Sequence, residues 1–206
     1  MNYQEQLKKY LEDLASSKPA PGGGSASALV GALAASLTCM VVNFTVGRER
    51  FREFEEEVKK ILQEAEKIKD ALLKLVDEDV KAYASYVHAK NLPKNTPEEK
   101  EKRRKAIEEA MITATRVPLN IMEKDLRILE LDRSLLDRSN PYLLSDVKVS
   151  AELACASLNS AYFNVKINLP YLRNEMQEET KRKGKLFQEK AYFLCKEILS
   201  SQAMKR

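Results

Sequence analysis

Residues 19–47 read PAPGGGSASALVGALAASLTCMVVNFTVG, and this stretch decides the fold. Four of the six glycines of the chain, Gly22, Gly23, Gly24 and Gly31, lie in its first part. The opening prolines and glycines are unsuited to a helix interior, because proline fixes its own backbone angle and glycine loses the most freedom on ordering. From Ala26 to Gly47 there is no charged side chain, although 32% of the chain is charged. Alanine, leucine, valine and methionine dominate there, which predicts a helix. Its surface is small or apolar on every side, so the helix is expected to be buried on every side. The stretch reads as a glycine loop feeding a central helix, with the other helices packed around it.

The length of this helix would suffice to cross a membrane. Ser27, Ser36, Thr38 and Asn43 interrupt it, alanine dominates it, and no basic cluster marks one end, so a buried bundle helix is the better reading. With 206 residues and 44% hydrophobic content, the chain fits one domain over 1–206 with a full core. Its net charge of +4 is spread in mixed sign, which excludes a nucleic-acid footprint while suiting an anionic small ligand. The N-terminus, MNYQEQLKKYLEDL, is charged and amphipathic rather than a secretory signal. Cys39, Cys155 and Cys195 are odd in number and far apart in apolar contexts, as expected of reduced thiols in a cytoplasmic protein. A single histidine and the lack of CxxC or HExxH spacing give no metal site.

Outward from the centre, Tyr3, Leu7, Tyr10, Leu11 and Leu14 recur at helical spacing and predict an amphipathic first helix. The central helix is expected to end near Gly47, a C-cap glycine. From Arg50 to about Asn91 an apolar row runs through Val58, Ile61, Ala65, Ile68, Leu72, Leu75, Ala82 and Tyr86, the seam of one long helix or two collinear ones. Asp79 falls on this row. A carboxylate on a packed face needs a partner, a ligand or a raised pKa. After the loop NLPKNT, Thr96, Pro97 and Glu99 form a helix start with a capping box. The next row is Ile107, Met111, Ala114, Pro118, Ile121, Asp125 and Ile128, with Pro118 expected to kink or divide the helix. A turn at Ser139, Asn140 and Pro141 leads to the row Val147, Ala151, Ala154, Leu158, Ala161, Val165, Asn168 and Leu172. A last amphipathic helix follows from about Asn174. No segment alternates at period two. The fold class is all-α, a single-domain bundle of long antiparallel helices.

Several residues stand out against this frame, each with a bland alternative. The PGGGS turn exposes backbone N–H groups at a helix start, which suits an anion, or it simply lets two helices approach. It lacks the lysine and the preceding strand of a nucleotide loop. Asp79 is a buried ion-pair partner or an acid/base; Asp146 is a first-turn acid favoured by the helix dipole, or a second functional carboxylate. Asn43, Asn164 and Asn168 are inter-helix hydrogen-bonding groups or ligand contacts. Lys94 is solvated or reaches a ligand. His88 lies off the seam and reads as surface; Tyr83, Tyr86 and Tyr162 read as core or rim rather than as a binding platform.

Four segments together resemble a known family: PAPGGGSASALVGALAASLTCMVVNFTVG, DEDVKAYASYVHAKNLPKNTPEEKEKRRKAI, ATRVPLNIMEKDLRIL and SNPYLLSDVKVSAELACASLNSAYFNVKINL. In content, order and spacing they are similar to the cyclodeaminase/cyclohydrolase family, which comprises the C-terminal domain of formiminotransferase-cyclodeaminase and the free-standing methenyltetrahydrofolate cyclohydrolases. The resemblance runs from about Leu7 to Leu172. It implies an all-helical homodimer whose substrate is a tetrahydrofolate derivative, with no bound cofactor and no membrane or nucleic-acid partner. Two reactions are implied. One hydrolyses 5,10-methenyltetrahydrofolate to 10-formyltetrahydrofolate. The other closes 5-formiminotetrahydrofolate to the methenyl form with loss of ammonia. These 206 residues include no formiminotransferase domain, which favours the hydrolase. A non-catalytic folate-binding or interaction module is the competing class. On this reading Asp79 and Asp146 are the candidate catalytic carboxylates, which would stabilise the methenyl cation. Gly22, Gly23, Gly24, Ser25 and Lys94 suit the carboxylates of the folate tail, and Asn43, Asn164 and Asn168 the edge of the pterin. One cleft is expected to gather them, with Asp79 as acid/base.

Overall fold

The computed structural model describes residues 2–202. Six helices account for most of them: α1 (Tyr3–Ala15), α2 (Gly23–Asn43), α3 (Glu55–Lys90), α4 (Pro97–Leu135), α5 (Leu144–Asn168) and α6 (Asn174–Ser200). Short 3-10 turns precede α3 and α5 and follow α5, and no strand occurs among the described residues. Connections are short, so successive helices from α2 to α6 run antiparallel. α2 packs on α3, α4 and α5, and α4 additionally on α6.

The apolar rows become the core. Val58, Ile61, Ala65, Ile68, Leu72, Leu75 and Ala82 of α3 are all buried, as are Val147, Ala151, Ala154, Leu158, Ala161 and Val165 of α5. Side chains at alternating three- and four-residue spacing share one helix face, so each row closes on its neighbours. Removing a large member such as Leu72 or Ile121 to alanine would cost about 2–5 kcal/mol. The start of α4 is built as its sequence requires: Thr96 Oγ1 accepts the Glu99 N–H at 3.2 Å, and the Glu99 carboxylate accepts the Thr96 N–H at 3.2 Å.

Three expectations change. α2 ends at Asn43, before a turn in which Gly47 takes a φ of +73°. It buries most of its surface but leaves a stripe open at Leu33 and Ser36. And α4 is neither divided nor ended by Pro118, which is buried inside one continuous helix. Proline has no N–H to donate to the carbonyl four residues earlier. Here that carbonyl belongs to Ala114, and Asn168 Nδ2 donates to it at 3.0 Å. The asparagine at the end of α5 thus replaces the bond that Pro118 cannot make.

Two further polar clusters lie in the core, seven residues apart on three helices. In one, Ser157 Oγ is 2.7 Å from the Ser27 carbonyl and 2.5 Å from Asp125 Oδ2. In the other, Ser150 Oγ is 2.9 Å from the Ala34 carbonyl and 3.0 Å from Thr38 Oγ1, which is 2.7 Å from Asp132 Oδ1. Both aspartates are completely buried with no cation beside them. Ser157 has one hydroxyl proton for two oxygen partners, so both contacts are bonded only when Asp125 carries a proton and donates it. The Asp132–Thr38–Ser150 chain likewise needs a proton on Asp132. Burial acts in the same direction, pushing Asp125 far above the ordinary carboxylate range and Asp132 up to about 7. Asp125 is therefore a neutral acid in the native core, and Asp132 is one below about pH 7.

Two predictions follow from these contacts. Asn168→Ala leaves the Ala114 carbonyl unpaired and should cost about 1–2 kcal/mol in a denaturant melt. In a Pro118→Ala background, where the peptide N–H is restored, most of that loss should vanish; simple additivity of the two changes would refute the replacement bond. Asp132 is protonated more readily when folded than when unfolded, so its contribution is complete below pH 4, declines as pH rises toward its folded value of about 7, and is gone above it. The span is on the order of 4 kcal/mol. Asp132→Asn, which keeps a donor for Thr38, should flatten that decline in melts followed from pH 4 to pH 8.

Candidate functional site

Asp79 and the first turn of α2 form the nucleus of the site. The chain enters α2 through extended backbone at Gly22. Gly24 then passes directly beneath the Asp79 carboxylate: a Cβ on Gly24 would stand 2.1 Å from Asp79 Oδ1 and 2.6 Å from its carboxyl carbon. Only glycine permits that approach. By contrast, a Cβ on Gly22 meets nothing and one on Gly23 makes an ordinary contact with Asn164, so these two are not required for space. Ser25 N–H donates to Asp79 Oδ2 at 2.9 Å, and the Ser25 hydroxyl lies 3.1 Å from the Tyr10 hydroxyl of α1. The glycine turn therefore spends its inward N–H on the protein's own carboxylate.

Asp79 is half-buried and has no cationic partner. Burial raises its pKa above the ordinary value, and the Ser25 N–H pulls part of the way back. The result is a carboxylate that holds its proton more tightly than a solvated aspartate does.

It faces a cleft of about 410 Å³, within the range of small-molecule sites. Gly22, Gly23 and Gly24 form one side with Pro19 and Ala20. Tyr83 and Tyr86 of α3, Met111 and Ala114 of α4, and Asn164, Ile167, Asn168 and Tyr171 complete it. Among the described residues that line it, none is lysine, arginine or histidine, and Asp79 is the one carboxylate. Asn164 Nδ2 bonds its own helix at Ser160 O, 3.1 Å away, and the Asn168 amide is committed to Ala114, which leaves each asparagine a carbonyl oxygen to offer.

The structure thus gathers Asp79, Gly22, Gly23, Gly24, Asn164 and Asn168 at the cleft, with Ser25 bonded to Asp79 just behind it. Three expected members are elsewhere in this chain. Asn43 is exposed at the far end of α2, twenty residues or about 30 Å from Gly23. Asp146 is in the first turn of α5, about 27 Å along that helix from Asn164. These two share the opposite end of the bundle, where the Asn140 N–H donates to Thr45 Oγ1 at 3.2 Å. Lys94 is exposed in the connection before α4 and does not line the cleft. Helical spacing says which face a residue occupies but not which end of the bundle it reaches. Tyr83 and Tyr86, read as core or rim, stand at the rim of the cleft and form a wall of it together with Tyr171. Their signal was present: Tyr83 and Tyr86 fall four and seven residues beyond Asp79, on neighbouring turns of one face.

Gly24→Ala should drive the Asp79 carboxylate off the turn. Hydrogen exchange at the Ser25 amide, protected by that carboxylate, is expected to accelerate sharply; unchanged protection would show that the contact is not needed.

The chain has clear relatives among known proteins. It matches the family model described as formiminotransferase-cyclodeaminase over residues 6–185. It is 38% identical, over 80% of its own length and 79% of the relative's, to a methenyltetrahydrofolate cyclohydrolase of Methylorubrum extorquens. It is 34% identical to the formimidoyltransferase-cyclodeaminase of Rattus norvegicus over 85% of its length, spanning 32% of that longer chain. The crystal structure of formiminotetrahydrofolate cyclodeaminase from Thermotoga maritima superposes with a TM-score of 0.77 at 25% identity, covering 94% of this chain and 96% of that one. The chain therefore belongs to the formiminotransferase-cyclodeaminase family of folate one-carbon enzymes.

Proposed function

We propose that this chain hydrolyses 5,10-methenyltetrahydrofolate to 10-formyltetrahydrofolate, with Asp79 as the acid/base. The observation that carries the reading is the position of Asp79: a half-buried carboxylate with a raised pKa, held by the Ser25 N–H at 2.9 Å, in a cleft without side-chain cations. The methenyl bridge is a delocalised cation, and a lone carboxylate in such a cleft favours it electrostatically. Asp79 takes a proton from water as the water oxygen bonds to the methenyl carbon. The tetrahedral adduct then breaks its bond to N5, which receives the proton held by Asp79, while the adduct hydroxyl releases its proton to solvent. The formyl group is left on N10, and one proton is released per turnover. The 38% identity to the Methylorubrum cyclohydrolase over most of both chains supports this direction.

The likeness to the Thermotoga cyclodeaminase over 94% of the chain favours a second reading on the same residues. There N10 attacks the formimino carbon and its proton passes to the formimino nitrogen, and protonated Asp79 gives a further proton as ammonia departs, which leaves the methenyl cation beside the carboxylate. We also propose a cytoplasmic homodimer, in keeping with the three free thiols. α1 buries none of its residues, and Tyr3, Leu7 and Leu11 remain 66%, 52% and 55% exposed on its apolar face. Together with the open stripe of α2 they offer an apolar surface suited to a second copy.

Loss of 5,10-methenyltetrahydrofolate absorbance against the uncatalysed rate tests the hydrolase. Asp79→Asn should lower kcat about 10²–10⁴-fold while the protein stays folded. Because the base must be ionised, kcat/KM should rise with pH through a value above the usual carboxylate range, and that limb should be missing in the variant. Full turnover by Asp79→Asn would end the assignment. No acceleration of hydrolysis, with ammonia released from 5-formiminotetrahydrofolate, would select the deaminase.

A further inference from the structure

Across the cleft from the glycine turn stands a group of three tyrosines. Tyr86 is its centre, with the Tyr83 ring centroid 6.3 Å away and tilted by 55°, and the Tyr171 centroid 6.2 Å away at 66°. At those angles the neighbours meet Tyr86 obliquely and do not stack over it, and all three tyrosines line the cleft. Tyr83 and Tyr171 are exposed although the molecule has a large apolar core to hold them. The Lys90 ammonium lies 6.0 Å from the Tyr86 centroid, so this ring already attracts a cation at its outer side. Inside the cleft the only ionisable partner for a positive ligand is Asp79, one turn before Tyr83 on the same helix.

We propose that Tyr83, Tyr86 and Tyr171 determine the specificity of this cleft by holding a flat, delocalised cation against their ring faces beside Asp79, so that it binds the cationic 5,10-methenyl form in preference to uncharged folates. The inference rests on the folate reading but not on which of the two reactions is native. A ring face carries negative charge density and attracts a cation without fixing a proton, whereas a second carboxylate would compete for the proton that Asp79 must move. Aromatic faces also match a planar heterocycle in shape. The preference for the cation is thereby separated from the proton transfer: tyrosines select, Asp79 reacts.

The test compares two ligands on three proteins. Affinity for 5,10-methenyltetrahydrofolate is read as KM, or as a product-inhibition constant if the protein deaminates; affinity for 5-formyltetrahydrofolate, which lacks the bridging cation, is read as an inhibition constant. Tyr86→Leu should weaken the methenyl form about 3- to 30-fold while moving the 5-formyl constant less than about twofold, with kcat little changed. Tyr86→Phe, which keeps the ring, should match the parent on both. If Tyr86→Leu fails to fold, Tyr171→Leu, at an exposed position, reads the same ratio. Equal weakening of both ligands, or of neither, overturns the proposal while leaving the folate reading intact. A parent protein that binds neither ligand overturns both.

Discussion

Three aspartates lie against one uncharged helix at every seventh residue, and the bundle is arranged around that contact. Asp79 of α3 meets α2 at Gly24, and Asp125 and Asp132 of α4 meet it at Gly31 and Thr38. A Cβ on Gly31 would stand 2.3 Å from Asp125 Oδ1, as close as the one on Gly24 would come to Asp79. No lysine or arginine pairs with any of the three, and an ionised carboxylate in a core without a partner is among the most unfavourable groups a protein can bury. The arrangement is stable because α2 brings small side chains, main-chain groups and hydroxyls instead of charge.

The three sites show how environment separates chemically identical groups. Asp125 and Asp132 are sealed, and hydroxyl relays through Ser157 and through Thr38 and Ser150 use their protons to reach the main-chain carbonyls of Ser27 and Ala34. Those relays are directional and repeat over two turns of three helices, so they set the axial register of α2, α4 and α5. Asp79 stands where α2 begins. It has one N–H for support and an open cleft before it, so either protonation state is accessible. Held neutral, an aspartate fixes register; left able to ionise, it moves protons. The difference is made by depth along α2 and by nothing in the side chain itself.

Asn168 shows a further economy. Interruption of its apolar row marked it as an inter-helix hydrogen-bonding group or a ligand contact, and it lines the cleft. Its amide nitrogen nevertheless belongs to the Ala114 carbonyl that Pro118 leaves free. The proline, the asparagine and the end of α5 form one unit, which ties the cleft wall to the middle of the longest helix.

Much was legible in one dimension. The all-α class, the core faces of α3 and α5 and the capped start of α4 follow from spacing, because an α-helix repeats its face through its own backbone geometry, whereas the family follows from the likeness of four whole segments. Asp125 satisfies the same criterion as Asp79, on an apolar row of its own, and Asp132 follows it by seven residues. What spacing does not carry is position along the bundle axis and the identity of the neighbour. Asn43 and Asp146 lie on helices that reach the cleft, but at their distant ends. Gly24 is essential where Gly22 and Gly23 are not, because only there does a carboxylate from another helix arrive. The amino-acid order alone determined which residues share a face, a matter of local backbone periodicity. The tertiary structure decided which faces meet, at what height and at what distance, because contacts between residues far apart in sequence depend on how the packed helices are placed in space.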